Sequence, residues 1–129
     1  MDAEKLKECG IDYNKGILFF GKDVELYEKY IAEFAQEDML EDAIKCLEND
    51  NVKGAFASVH KLKALVEYIK IPAADEMVHE LTETLREGKT DGVEVGLHYL
   101  KEVFTEIKRV VREEIANDAC IANEVCKGE

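Results

Sequence analysis

Apolar residues recur at three- and four-residue intervals along most of the chain, the pattern of helices that bury one face. A short helix over 3–9 is expected to end at Gly10. The following Ile11-Asp12-Tyr13-Asn14-Lys15-Gly16 shows no period and reads as an irregular turn region before the apolar Ile17-Leu18-Phe19-Phe20. Gly21-Lys22-Asp23 punctuates the chain, and Asp23 is placed to N-cap a helix carrying Leu26, Tyr27, Tyr30, Ile31 and Phe34, with a soft end near Gln36. Met39, Leu40, Ala43, Ile44 and Leu47 mark a further helix, closed by the turn-forming Glu48-Asn49-Asp50-Asn51.

A longer helix follows from about Val52 to Lys70. Pro72 suits the first turn of the next, where its missing N–H has no partner to lose. That helix buries Ala74, Met77, Val78, Leu81 and Leu85, and Gly88 is its natural C′ residue. Asp91-Gly92-Val93-Glu94 has the spacing of a capping box, with Asp in place of Ser or Thr. The last helix carries Val93, Leu97, Leu100, Phe104, Ile107 and Val111, and its period continues through Ile115. Consecutive amphipathic helices joined by short loops pack as antiparallel neighbours. The expected fold is therefore all-α, an antiparallel up-down-up-down four-helix bundle with the additional N-terminal helices packed over one end. The bundle is expected over 1–116, and 117–129 reads as a tail or an extension of the last helix. Apolar Ala119, Ile121, Ala122 and Val125 make that extension a candidate weak dimer contact.

Composition narrows the function. With 129 residues the chain has material for one core. One proline, no tryptophan and an abundance of Ala, Glu, Lys and Leu agree with an all-helical protein. A net charge of −12 argues against nucleic acid and against an anionic membrane surface as partners. No segment has the form of a signal peptide or a bilayer-spanning helix, so a cytoplasmic location is expected. Cys9, Cys46, Cys120 and Cys126 lack C-x-x-C spacing and read as reduced, partly buried thiols.

His60 is the residue with chemistry to offer. At about 100° per residue, Val52, Ala55, Phe56, Val59, Leu62, Leu65, Val66 and Ile69 fill one half of the helical wheel, and His60 falls just outside it. Its neighbours one turn away are Ala57 and Ala64, which leave the imidazole sterically open, and Lys63 follows by three.

The run His60-Lys61-Leu62-Lys63 in this setting resembles the centre of the histidine-containing phosphotransfer (HPt) domain family. Gly10-Ile11-Asp12, Gly16-Ile17, Gly21-Lys22-Asp23 before Leu26-Tyr27, and Phe34 are similar in order and spacing, so the likeness covers nearly the whole chain. The resemblance implies a four-helix bundle whose His60 accepts a phosphoryl group from a receiver-domain phospho-aspartate and passes it to another receiver aspartate. Lys63, and less directly Lys61, would offset the phosphate charge. Ala57, Ala64 and Glu67 would lie on the receiver-docking surface. The implied partners are response-regulator receiver domains and a hybrid histidine kinase, in two-component signalling. The protein would be a free-standing phosphocarrier and not an enzyme, needing no cofactor or metal of its own because the receiver brings the metal and the catalytic groups.

Two positions depart from the family pattern. Ala64 stands where the family has Gly after its motif Lys, and Lys70 stands where members usually have a second Gly. Glu67, two turns after His60, also brings a negative charge near the phosphate site. These departures support an alternative, an HPt-shaped module that docks receivers or kinases without relaying phosphate. A di-iron oxidase is a further rival, because Glu76-Met77-Val78-His79 has Glu-x-x-His spacing. It fails on count, since Glu94 and His98 are spaced by four and no further inward glutamates complete the set.

Overall fold

Side chains at the helix ends set most of the element boundaries. The computed structural model describes residues 1–127, with side chains through 119, and among them forms seven α-helices and no strand. Helix α1 (Ala3–Cys9) starts where Glu4 N–H donates to Asp2 Oδ1 (2.9 Å) and stops at Gly10, whose φ of 118° few other residues adopt. Helix α3 (Val24–Ala35) is capped as its sequence indicates, Leu26 N–H donating to Asp23 Oδ1 at 3.1 Å. In α4 (Met39–Glu48) it is the Glu37 carboxylate, 3.2 Å from Leu40 N, that serves the first turn. Asn51 caps α5 (Val52–Ile69) by accepting from Gly54 N–H at 2.9 Å.

Pro72 opens α6 (Pro72–Arg86), and Gly88 closes it at φ 78°. Gly88 N–H donates to Leu85 O and Lys89 N–H to Thr84 O, the paired bonds of a Schellman cap. The expected capping box before α7 (Val93–Lys127) does not form. Gly92, at φ 73°, precedes the helix, and Asp91 accepts no cap hydrogen bond among the described residues. Glu94 instead lies 4.0 Å from His98 Nε2.

The segment after Gly10 also differs from its reading as an irregular turn. Residues Tyr13–Phe19 form a helix, α2, with Asp12 Oδ1 accepting from Lys15 N–H at 3.3 Å. Seven residues hold barely two turns, too few to show a period, and Gly16 in the middle counts against helix on propensity. Packing explains that glycine. Gly16 is buried against the Tyr27 ring, which any Cβ there would strike.

Helices α5 and α7 are the hubs. Both α3 and α4 lie against α5 and α7 but not against each other, so they follow one another along one side. Helix α6 packs on α5 and α7, α1 on α7, and α2 on α1, α3 and α5. The core fills the space between, with Ile31 and Phe34 of α3, Val59, Leu62 and Val66 of α5, and Leu97, Leu100 and Phe104 of α7 fully buried or nearly so. Each such side chain contributes about 1.5–3 kcal/mol. Phe34 and Phe104 meet edge to face at 4.8 Å.

Cations of α7 fasten the junction between α3 and α4. Lys108 Nζ sits 2.6 Å from Glu37 Oε1, and Arg112 donates to Ala35 O at 2.8 Å, satisfying a carbonyl that the end of α3 leaves free. Helix α7 continues without a break to Lys127. The side chains of Ile121, Ala122 and Val125, on which the dimer expectation rests, lie outside the described residues, as do Cys120 and Cys126. No described helix is long and apolar enough to cross a membrane.

Candidate functional site around His60

Helix α5 turns Ala55, Val59, Leu62, Val66 and Ile69 into the core and leaves His60 and Lys61 exposed. The imidazole makes no side-chain hydrogen bond or ion pair among the described residues, so neither ring nitrogen is committed to a protein partner. One turn earlier lies Phe56, whose ring stacks against it at 5.5 Å with 21° between planes. The wheel placed Phe56 in the buried half. The structure leaves it half-buried, with His60 stacked on the ring and the guanidinium of Arg86 5.1 Å from its centroid. Arg86 is the last residue of α6 and reaches the first turns of α5 because the two helices run in opposite directions.

The other expected site residues fall along the same helix. Ala57 is exposed and Ala64 half-buried, so small side chains do flank the ring. Lys63 is half-buried, with Nζ 4.0 Å from Glu67 Oε1. Lys61 is exposed and has no carboxylate within ion-pair distance among the described residues. The charge of Glu67 also reaches α6. Partial burial, and then Glu67, raise the Asp75 carboxyl above its ordinary value, with Lys70 opposing them.

Beyond Glu67 the surface becomes apolar. Tyr68, exposed at the end of α5, stacks on Phe19 at 6.0 Å and meets Tyr30 edge-on at 5.7 Å. Phe19 and Leu18 of α2 are 56% and 67% exposed. This aromatic patch and Arg86 were not singled out in the sequence. A helical assignment for 13–19 would have brought Leu18 and Phe19 forward, while Arg86 requires knowledge of how α5 and α6 cross.

Elsewhere, Glu76, His79, Glu94 and His98 are all exposed, and no three His, Cys, Asp or Glu residues among those described are arranged to hold a metal ion. A cavity of about 260 Å³ opens between α4 and α7, lined by Ile44, Leu47, Val52, Glu94, Leu97 and His98, and does not include His60. Comparison with protein-family models, curated proteins and solved structures returned no match.

Proposed function

We propose that this protein is a phosphorelay intermediate of the HPt kind, with His60 as the phosphoacceptor. The observation that carries the reading is the exposed, uncommitted imidazole braced on Phe56, with Lys63 and Arg86 as nearby cations. A neutral ring nitrogen attacks the phosphorus of a receiver's aspartyl phosphate. An N–P bond forms, the P–O bond to aspartate breaks, and the carboxylate leaves. The reverse reaction on a second receiver regenerates the free imidazole. Phe56 limits the ring's rotation, Lys63 and Arg86 offset the added negative charge, and the receiver supplies the catalytic groups.

The helix packing suits this role. Read as a bundle, its four sides are α3 followed by α4, then α5, α6 and α7, running up-down-up-down, with α1 and α2 against the N-terminal side. His60 then projects from the middle of one side, where a globular partner can reach it. The patch of Leu18, Phe19 and Tyr68 continues from that face and gives the receiver an apolar area to bury.

Incubation with radiolabelled, phosphorylated receiver domains tests the assignment. Wild type is expected to gain an acid-labile, base-stable label, and His60→Gln none. Equal labelling of His60→Gln would overturn it. The second reading, a module that docks receivers without relaying phosphate, is favoured by one contact, the Lys63 ammonium drawn toward Glu67. Receiver binding with no label on His60 would establish it.

A further inference from the structure

Lys70 is a lysine at a backbone position that favours glycine. It ends α5 at φ 65°, ψ 77°, in the left-handed region that side chains disfavour. Its surroundings hold it there. Lys70 N–H donates to Val66 O at 3.0 Å, its carbonyl accepts from Asp12 N–H at 2.8 Å, and the next residue, Ile71, is buried. Strain maintained at a half-buried position, whose side chain still reaches the surface, calls for a use of that side chain.

The side chain lies on the aromatic patch. Lys70 Nζ is 4.3 Å from the centre of the Phe19 ring, which itself stacks on Tyr68. It forms no ion pair among the described residues. The charge also belongs to a local excess. Helix α5 carries Lys53, Lys61 and Lys63 against Glu67 alone, in a chain of net charge −12. Helix α5 thus carries a net positive charge in an acidic molecule, and Lys70, whose charge also reaches Asp75 of α6, sets one more cation on the apolar part of the His60 face.

We propose that Lys70 is a specificity-determining residue of this docking face, selecting partner domains that set a carboxylate beside an apolar contact surface. The proposal rests on reading the His60 face as a receiver-docking surface. A rim charge of this kind acts on encounter rate and on discrimination between partners more than on the chemistry.

The test uses the receiver domain that binds wild type most tightly, measured unphosphorylated, with Lys70→Arg, Lys70→Gln, Lys70→Gly and Lys70→Glu. Lys70→Arg is expected to bind within twofold of wild type. Lys70→Gln and Lys70→Gly should bind about threefold more weakly and Lys70→Glu about tenfold, with a shallower ionic-strength dependence in the neutral variants. Lys70→Gly should also melt a few degrees higher, which separates the backbone cost from the side chain's use. Binding of Lys70→Glu within twofold of wild type would overturn the proposal. So would self-association of wild type that Phe19→Ala abolishes, or binding to vesicles of anionic phospholipid. Phosphoramidate, a small donor that needs no docking, separates the two readings. Its failure to label wild type, with the Lys70 dependence intact, would remove the phosphoacceptor and leave the docking role. If no receiver binds wild type, both fall.

Discussion

At the scale of single residues, the orientation of His60 was legible because it depends only on helical period. Ala55, Val59, Leu62 and Val66 had to face inward, and that turned position 60 out. The bracing of the ring was not legible. Phe56 looks like any core aromatic until Arg86, distant in sequence, is known to lie over the same ring. Ala64 illustrates a trade between the helix and its partner. Its methyl sits one turn from His60, where the HPt pattern that the chain resembles has glycine. Ala64→Gly should cost about 1 kcal/mol of helix stability, measured by urea unfolding. On the proposed phosphorelay role it should also raise the rate of phosphotransfer from a receiver several-fold, by letting the partner's backbone come closer. An unchanged transfer rate in the folded variant would show that the methyl is no obstacle.

The seven helices divide by length in how well the sequence announced them. Helices α3 to α7 carry enough turns for a period, and their caps at Asp23, Pro72 and Gly88 could be read directly. Helix α2 could not, because it is held by tertiary contacts that its own residues do not encode. Gly16 admits the Tyr27 ring, and Tyr27 in turn donates its phenolic hydrogen to Ile69 O at 2.7 Å, a buried bond that caps the end of α5. One tyrosine of α3 therefore ties α2 to the end of the helix that carries His60. Tyr27→Phe keeps the ring and removes only the donor. With Ile69 O left without that partner, the variant should lose about 1–3 kcal/mol at pH 7, again read by urea unfolding. A change smaller than about 0.5 kcal/mol would mean that another donor serves the carbonyl.

For the molecule as a whole, apolar spacing indicated an all-helical chain, but the succession of α3 and α4 along one side depends on Lys108, Glu37 and Arg112, whose meeting no local pattern shows. The same dependence on distant contacts gives the fold an alkaline limit. Burial, then the hydrogen bond to Glu28 and that carboxylate's charge, push the Tyr13 phenol up to about 12. Burial, followed by the charges of Tyr13 and Asp12, raises Tyr27 as well. Both groups are therefore protonated in the fold at a pH where the unfolded chain, with phenols near 10, has begun to release its protons. The stability they contribute is complete below about pH 10 and is lost as pH rises toward their folded values, by at most about 1.4 kcal/mol per pH unit for buried Tyr27 and by less for the solvent-screened Tyr13. Tyr27→Phe and Tyr13→Phe remove one such group each and leave the other alkaline titrations as in wild type, apart from the charge that one phenol places on the other. Unfolding measured from pH 8 to 11.5 should thus show the deficit of each variant constant up to about pH 10 and then narrowing, more steeply for Tyr27→Phe than for Tyr13→Phe. A deficit that stays constant to pH 11.5 would mean that the phenols titrate in the fold as they do in the unfolded chain.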